Sequence, residues 1–563
     1  MLPVNQKKSS ILDQYGNPYV KQQTGLKPRA LHGGLNNIPY DAADTTGSST
    51  SNWFPYLTSP DVELNPWRDI IVSRVRDLVR NDGWASGIVT RVLDNALGGC
   101  FRPISKPDYR TLQAKTGCSF DAQWAKEWSR EVDSHWRSWA NDEGRYCDAG
   151  RRLTFSQMMW AAMRGLLIDG DAVAVLNWIP DRVQKGQALY ATAVQMIDPD
   201  RLCNPNQNID TAECRGGVQL DEYGAPIGYH FRKSHISNYY DYSKIMEWEY
   251  IKKETDWGRP NVVHYFETQR ADEHRGGAGI LTPIVQRLQM ITKYDKTELD
   301  AAVVNATFAA FLESPYDPVS GMDALETQES ENILNYIDNR NCYHKSNKLV
   351  LGGTRIPVLF PGEKISAVSS SHPHSGYREF LGAALRNIAA GTGVSTQQIS
   401  NDWSDVNYSS ARSAMLEAWK TLTRRRDNFG NGFASPIRSA WLEECCMKEE
   451  LPWPSGVDLD YLMDMVSYLK TPLSKCKWLG PGRGWVDPVA EKQGAVLGMA
   501  AGLSTLEVEA AENSGDDWEE IIDQRALEIK KFKENGIPLP DWTGNQTNGK
   551  ETSISSPPEK PSP

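Results

Sequence analysis

The stretch between Pro283 and Pro315 contains neither proline nor glycine, and it limits the possible folds more than any other part of the sequence. Thr282 followed by proline is a strong start signal for a helix, because threonine caps the first turn and proline fits its first position. About 30 residues at ~1.5 Å each would make a rod of roughly 45 Å. Its apolar residues lie on a narrow face and are small or aliphatic: Ile284, Leu288, Ile291, Leu299, Ala302, Val303, Ala306 and Ala310. Such a rod needs neighbours at its sides, so we expect a bundle within one chain or a ring of identical copies.

Two further helices are predicted downstream of this rod. Residues 376–390 have a helical pattern that ends at Gly391-Thr-Gly393. A longer helix starts at Tyr408, and the glycines and proline within 430–436 predict a kink in it. Residues 313–365, between the first two helices, are predicted to form an acidic helix followed by strands and turns. We therefore expect a stalk of two helices that bracket a small tip.

Residues 60–275 are predicted to form a domain of helices and β-sheet. A helix from Pro66 should break near Asp82-Gly83, and another helix should start after Thr154. Runs with strand character follow, separated by turn residues: 171–179, 188–198, 217–233 and 261–267. The pattern predicts a helix-rich α+β fold.

Tryptophan is unusually frequent, with 19 in 563 residues, and tryptophan-rich proteins sometimes stack sugars or bases. Between residues 122 and 140 the apolar positions recur at steps of three and four: Trp124, Trp128, Val132, Trp136 and Trp139. This spacing favours an amphipathic helix packed against a core. The alternative is a tryptophan-rich carbohydrate-active enzyme, whose carboxylate pair, such as Asp169 and Asp171, would face a cleft at about 5–9.5 Å. A nuclease would need clustered metal-binding carboxylates, which the sequence does not show.

Charge narrows the range of functions. The chain has 61 Lys and Arg against 72 Asp and Glu, a net charge of -11. Proteins that hold nucleic acid tightly are usually basic, because neutralised phosphates supply most of the affinity. If this chain handles DNA, we expect it to do so without holding it tightly. The longest apolar runs are shorter than the ~18 residues of a membrane-spanning helix, and the polar N-terminus predicts no secretory signal.

The sequence shows no catalytic or metal-binding motif that we can complete. His372 and His374 lack further ligands nearby, and Asp169-Gly-Asp171 lacks the later oxygen ligands of a calcium loop, so it is predicted to be a helix-to-strand turn. The glycine-rich run 275–279 is weak evidence for a phosphate site, and Arg424-Arg425-Arg426 is predicted to be a solvated helix face. Nine irregularly spaced cysteines predict reduced thiols. We expect no cofactor, no metal and no enzymatic activity.

Several motifs, taken together, resemble those of lambda-family portal proteins of tailed phages. They are Pro361-Gly-Glu363, Ile388-Ala-Ala-Gly-Thr-Gly-Val394, Asn407-Tyr-Ser-Ser-Ala-Arg412 followed by Glu417 and Trp419, Val486-Asp-Pro-Val-Ala-Glu491, Ala501-Gly-Leu-Ser-Thr505 and Gly515-Asp-Asp517. They occur in order between about residues 60 and 535. The sequence departs from the family at Gly430-Asn-Gly432 and Pro436, which interrupt a helix that is more continuous in the family.

The resemblance implies a portal fold made of named parts. These are a basic arm (1–59), a wing (60–275 and 409–485), two stem helices (276–312 and 366–391) around a clip (313–365), a tunnel-loop region (392–408), a crown (486–536) and a disordered tail (537–563).

The resemblance also implies an assembly and its partners. Twelve copies in the virion, or thirteen when the protein is made recombinantly, would form a ring at one capsid vertex, assembled in the host cytoplasm. The ring would let double-stranded DNA pass without sequence preference. The partners implied are the terminase large subunit, head-tail adaptors, the major capsid protein and a scaffold protein, with no membrane.

Two sets of site residues follow from the resemblance and the stalk pattern. Candidates that face DNA in the channel or tunnel loop are Asn401, Asp402, Trp403, Ser404, Asp405, Asn407, Arg412, Lys293 and Lys296. Candidates for packing between subunits are Ala302, Ala306, Ala310 and Ala384.

Overall fold

The structure is a computed structural model. It describes residues 52–53, 55–99, 101–307, 311–313, 330–346, 349–351, 354–356, 364–366, 376–404, 407–457, 466–484 and 487–539. The predictions for the arm, for the tail and for much of 313–365 therefore fall largely outside the described residues. Contacts divide the chain after Thr58, and every helix and strand named below lies in the part from Ser59 onward.

Six helices precede the main sheets, and their ends follow the predicted signals. They are α1 (Pro60–Leu64), α2 (Arg68–Asn81), α3 (Gly83–Ala96), α4 (Tyr109–Thr116), α5 (Ala122–Ala140) and α6 (Phe155–Asp169). Asp82 separates α2 from α3, and its side chain accepts from the backbone N–H of Ala85 at 2.8 Å. Thr154 and Gln157 form a capping box at the start of α6, and Gly170 ends it with φ 80°. The predicted break and the predicted start are both confirmed.

The sheets are antiparallel and follow the predicted runs. Their elements are β1 (Arg102–Ser105), β2 (Ala172–Trp178), α7 (Pro180–Gln184), β3 (Thr192–Ile197), β4 (Cys214–Arg215), β5 (Val218–Leu220), β6 (Pro226–Arg232), α8 (Tyr242–Ile245), β7 (Trp248–Lys252) and β8 (Val262–Tyr265). One sheet has the order β3-β2-β8 and the other β4-β5-β6-β7. Apolar side chains of both sheets, including Val173 and Phe231, share one buried cluster. Strand β7 was not predicted, and none of its residues is buried.

The tryptophan face of α5 lies in the main core, as predicted. Trp128 is fully buried, and Trp124 packs edge-on against Phe120 with ring centroids 4.5 Å apart. The indole N–H groups of Trp124 and Trp139 donate to the backbone oxygens of Pro452 and Thr192 at 2.7 and 3.1 Å. Buried indoles need such acceptors, so this face is built for packing.

The long rod is shorter than predicted. After a 3₁₀ turn at Thr282–Ile284, α9 runs from Val285 to Thr307, and residues Phe311–Glu313 form strand β9. The elements that follow are α10 (Ser330–Ser346), β10 (Leu349–Leu351), β11 (Thr354–Ile356), β12 (Lys364–Ser366) and α11 (Tyr377–Thr392). Strand β9 pairs antiparallel with β12, with Phe311 opposite Ser366. The prediction of helix through residue 312 is wrong, because this pairing partner lies about fifty residues away and leaves no local signal.

The remaining elements follow α11 in chain order. They are α12 (Thr396–Ser400), α13 (Tyr408–Phe429), α14 (Ser435–Lys448), α15 (Val466–Ser474), β13 (Cys476–Leu479), α16 (Pro488–Ala500), α17 (Leu506–Glu509) and α18 (Trp518–Glu534). A π-helical turn at Gly430–Ala434 joins α13 to α14 and accounts for the predicted interruption. A Cβ at Gly430 would lie 2.8 Å from the Trp478 ring, so glycine is required there. Strand β13 pairs with β1.

Helix α18 is attached mainly by charge, because none of its residues is buried. Glu520 accepts two hydrogen bonds from Arg102, at 3.0 and 2.7 Å, and also lies 3.1 Å from Arg137. Arg130 on α5 reaches Glu519 and Asp523 at 3.4 and 3.3 Å. The charged face of α5, which carries Arg130 and Arg137, is the surface on which α18 lies.

Candidate functional site

Helices α9 and α11 pack side by side through aromatic rings. Tyr294 stacks on Tyr377 with ring centroids 5.7 Å apart and tilts against Phe380 at 5.1 Å. The Tyr377 hydroxyl donates to the Asp295 carboxylate at 2.6 Å. This hydrogen bond, together with burial, raises the pKa of Tyr377 to about 12, so the hydroxyl keeps its proton at neutral pH. The two predicted stalk helices are therefore joined where Tyr294 and Asp295 meet the first turn of α11.

The apolar face of α9 continues past the point where the core ends. Leu288 and Ile291 are buried at the start of the helix. At further steps of four and three residues the same face carries Asp295, Leu299 and Ala302, and here Leu299 is 67% exposed and Ala302 is exposed. These two apolar side chains have no cover from the described residues of the same chain.

The other three predicted subunit-packing residues have different positions. Ala306 lies within α9, although the surroundings of its side chain are outside the described residues, and Ala310 is itself outside them. Ala384 is only 3% exposed and belongs to the main core with Leu385 and Ile388. Ala384 is thus buried within its own subunit, which does not support its predicted role in packing between subunits.

Lys293 and Lys296 lie on the solvent side of α9. Both side chains are exposed, and among the described residues no carboxylate lies within ion-pair distance of either ammonium group. Their charges are therefore open to a polyanion, as the channel prediction requires.

The predicted tunnel loop begins at the end of α12. Asn401 caps that helix with φ 54°, a conformation that asparagine tolerates better than most residues. Its side-chain oxygen accepts a hydrogen bond from Arg91 on α3 at 2.8 Å. One end of the loop is therefore held against the helical domain.

The middle of the loop is exposed and carries an anionic turn. The backbone N–H and hydroxyl of Ser404 donate to Asp402 at 3.1 and 2.6 Å, and these hydrogen bonds lower the pKa of Asp402. Trp403 is 41% exposed. Asp405 lies outside the described residues. A polyanion meeting this loop would find a fixed negative charge, which disfavours tight contact.

The far end of the loop starts α13. Asn407 caps that helix by accepting from the backbone N–H of Ser410 at 2.9 Å. Arg412, one turn later, lies 3.5 Å from Glu491 on α16, whose other carboxylate oxygen lies 3.8 Å from Arg483. The Glu491 side chain is only 4% exposed. Arg412 is thus bound within the subunit, which reduces its availability for DNA.

The aspartates proposed for the carbohydrate-enzyme alternative are held in ion pairs. Asp171 is fully buried, and its carboxylate accepts from Arg275 at 3.2 Å, from His264 at 2.9 Å and from the backbone N–H of Gly276 at 2.8 Å. Asp169 is bound to Arg76 at 2.7 Å. Neither carboxylate is available to a sugar, and the tryptophans of α5 are buried, so the arrangement does not support that alternative.

The glycine-rich run 275–279 serves close backbone packing. A Cβ at Gly279 would lie 2.4 Å from the backbone oxygen of Leu167, and one at Gly170 would lie 2.6 Å from the backbone nitrogen of Gly277. Gly170 is also the predicted helix-to-strand turn, which is confirmed. The glycines let this segment cross the end of α6, and a phosphate site is not needed to explain them.

One group of described residues has metal-ligand geometry. Ligand atoms of Asp198, Asp200 and His235 lie within 4.8 Å of one another. The Asp200 carboxylate, however, already binds Arg76 at 2.6 Å and Arg68 at 3.1 Å. Arginine thus supplies the positive charge that a cation would bring. His372 and His374 lie outside the described residues.

Sequence reasoning missed two features of the structure. The predicted solvated face at 424–426 is only partly solvated, because Arg425 forms two hydrogen bonds with Glu267 at 2.5 and 3.0 Å and Arg426 is half-buried. Glu491 was quoted only as part of a motif, and its pairing with Arg412 joins distant parts of the chain. No local sequence signal indicates this pairing, because the burial of Glu491 depends on segments that are distant in the chain. Among the described helices, none is both long and apolar enough to cross a membrane.

Comparisons with known proteins agree with these observations. A family model described as "Phage portal protein, lambda family" matches residues 46–426. The chain is 30% identical over 500 residues to the portal protein of Escherichia phage N15. The alignment covers 88% of this chain and 90% of that protein. The chain is also 30% identical, with the same coverage, to portal protein B of Escherichia phage lambda. A chain from the virion of a native gene transfer agent particle aligns with a TM-score of 0.41 and 13% identity, covering 78% of this chain and 92% of that one.

The family match spans more than half of the chain, and the helix-rich α+β structure fits it. The molecule is a phage portal protein, a class of structural rather than catalytic proteins. Within that class the chain belongs to the lambda family.

Proposed function

We propose that copies of this chain assemble into a ring at one vertex of a phage capsid, and that the genome passes through its centre during packaging and ejection. The ring has twelve subunits in the virion and twelve or thirteen when the protein is made recombinantly. It is placed in the virion after assembly in the host cytoplasm. Membership of the lambda family is the main support for this role.

The structural observation that supports a ring is the exposed end of the apolar face of α9, at Leu299 and Ala302. Burying a leucine side chain contributes about 1.5–3 kcal/mol, so leaving Leu299 exposed is a loss that a neighbouring copy would recover. Ala302 beside it is small enough to let a second helix approach closely. A head-to-tail contact of this kind forms a ring when the rotation between neighbouring copies closes on itself, and the proposal assumes such a rotation.

The parts of the subunit take the following roles in the proposal. Helices α9 and α11 form the stem, and residues 313–365 form a clip that contacts the terminase large subunit and later the head-tail adaptors. Residues 60–275 and 409–485 form a wing towards the major capsid protein and scaffold, and residues 486–536 form a crown. Residues 392–408 carry the loop that meets the DNA.

Light contact with DNA is consistent with the charges on these parts. Each neutralised phosphate adds affinity and would slow a moving duplex. Lys293 and Lys296 offer exposed positive charges, whereas Asp402 places a negative charge on the loop and Arg412 is paired with Glu491. A passive conduit, through which a separate motor moves the DNA, needs this balance of positive and negative charges.

The decisive experiment changes the α9 face without changing the subunit core. Ala302→Glu should stop ring assembly, because it places a charge on the proposed contact, and mass photometry should then find single 63.1-kDa subunits with unchanged circular dichroism. Gln289→Glu, on an exposed position of α9 off that face, is the matched control and should assemble as the wild type does.

Two results would count against the proposal. Normal rings from Ala302→Glu would show that this face is not the contact between subunits. A wild-type protein that stays monomeric at high concentration would overturn the ring itself.

A further inference from the structure

A basic groove runs along one side of α13, away from the predicted tunnel loop. We define it by two adjoining concavities of about 770 and 470 Å³ that share Arg424, Asn428 and Asn431. The larger one also reaches β13 and a second π-helical turn, at Ala510–Ser514. Nothing in the proposed role of the loop or of the stem uses this surface.

The groove is positively charged on a chain whose net charge is -11. The larger concavity is lined by five cationic side chains and two acidic ones, a local excess of three positive charges. The cations are Lys420, Arg424, Arg426, Lys477 and Arg483. A local field of this sign attracts polyanions even when the whole molecule does not.

Two of these cations form no ion pair with the described residues. Arg424 and Lys477 are exposed, and no carboxylate among the described residues lies within ion-pair distance of either. By contrast, Lys420 lies 2.9 Å from Glu417, and Arg483 is paired with Glu491. Arg424 and Lys477 therefore carry most of the binding capacity of the groove.

Neutral hydrogen-bond donors accompany the two free charges. Asn428 and Asn431 are exposed, and their side chains make no hydrogen bond within the described parts of the chain. Arginine, lysine and asparagine side chains are the groups that commonly contact phosphate oxygens in protein–DNA complexes. The groove offers these donors from two elements, α13 and β13, with the π-helical turn between α13 and α14.

The larger concavity, which holds most of the positive charge, lacks the apolar centre that a protein partner would need. Protein interfaces usually have a buried aromatic or aliphatic anchor at their centre. The partly exposed aromatic ring of this concavity, Trp419, is covered by the Arg426 guanidinium, which lies 5.8 Å from its centroid. Two further partly exposed aromatic residues, Tyr265 and Phe266, line the smaller concavity. The other exposed lining residues are polar.

We propose that this groove binds the phosphate backbone of duplex DNA, weakly and without sequence preference, as a second nucleic-acid contact besides the loop. The inference rests on the proposed function, because it assumes that DNA lies against the ring. Arg424 and Lys477 each neutralise one phosphate, and Asn428 and Asn431 donate to phosphate oxygens. No base edge is read, so the site holds any sequence equally.

The test is the salt dependence of DNA binding by the assembled protein. Fluorescence anisotropy with a short labelled duplex of mixed sequence, measured over a series of KCl concentrations, gives the slope of log K against log salt. Each lost phosphate contact reduces the slope by about 0.9, so the double variant Arg424→Ala with Lys477→Ala should reduce it by about 1.8. The control double variant, Arg80→Ala with Lys252→Ala, removes the same charge from exposed sites elsewhere and should leave the slope unchanged.

The outcomes separate this inference from the proposed function. Equal losses in both double variants would show a general charge effect and overturn the groove. An unchanged slope in Arg424→Ala with Lys477→Ala, or no DNA binding by wild-type rings, would also overturn the groove as a DNA site, but it would not contradict the ring. Binding of polyglutamate but not of DNA at these residues would replace DNA by an acidic protein segment. Failure of the wild type to form rings by mass photometry would instead contradict the proposed function.

Discussion

Replacing Arg275 by methionine should remove the best-connected cation of the buried ionic network. Arg275 is 3% exposed, and its Nε donates to Asp171 at 3.2 Å. Its guanidinium also donates to the backbone oxygens of Leu202, Gly216 and Pro199. Methionine fills much of the same volume but donates no hydrogen bond. The variant therefore tests the charge and the donors, with little change in packing.

The expected cost is about 3–5 kcal/mol, because removal of one partner from a buried pair leaves the other charge without compensation. Burial raises the pKa of Asp171, but the hydrogen bond from His264 and the charges of His264, Arg275 and Arg68 outweigh it and lower the pKa below its ordinary value. Asp171 is thus ionised in the wild type. In the variant the nearest remaining guanidinium, that of Arg68, lies 3.8 Å away. Domains are stable by only about 5–15 kcal/mol, so a loss of this size should be easy to detect.

The assay is urea unfolding followed by tryptophan fluorescence, with wild type and variant at the same subunit concentration. Lys252→Met serves as the control, because Lys252 pairs with Asp256 at 3.3 Å where both side chains are mostly exposed. It should cost less than about 1 kcal/mol. If Arg275→Met unfolds within about 1 kcal/mol of the wild type, the buried network does not stabilise this domain as argued.

Two further predictions concern charge. Burial raises the pKa of Asp200, but Arg68 and Arg76 outweigh this effect and lower it from 3.8 to about 2. Asp200→Asn should therefore cost about 2 kcal/mol at neutral pH, and its gap from wild type in unfolding free energy should persist above about pH 4 and close as pH falls towards 2; a gap that stays constant to pH 2 would contradict this. For α18, raising the salt from roughly 0.05 M to 1 M should speed hydrogen exchange in residues 518–534 more than in α5, because exposed ion pairs are screened. Glu520→Gln should cause the same increase at low salt, and equal protection at both salt concentrations would show that α18 is held in another way.

Local signals predicted much of the fold correctly. Asp82 marked a helix break and Thr154 a helix start, and the spacing of the tryptophans in α5 identified its buried face, because capping and amphipathic periodicity act over a few residues. The break at 430–434 was predicted from glycine content in the same way. These features need no knowledge of distant parts of the chain.

Pairings between distant residues could not be predicted. Strand β9 exists because β12 lies beside it, although its own residues are compatible with a helix. Likewise, an exposed alanine and a buried one look the same in sequence, which is why Ala302 and Ala384 were grouped although one is exposed and the other lies in the core. The partners of Asp171 and of Glu491 come from separate segments, so a list of charged residues does not identify them.

Because of the π-helical turn at Gly430–Ala434, the orientation of α14 depends on how many residues the turn contains as well as on their types. Buried positions occur every four residues from Phe429 through Phe433, Ile437 and Trp441. A regular helix turns every 3.6 residues and would carry such a series gradually out of the core. The one extra residue held in the wider turn cancels most of that rotation. Insertions or deletions near residue 430 should therefore be poorly tolerated even where the new side chains fit, since they would turn Trp441 towards solvent.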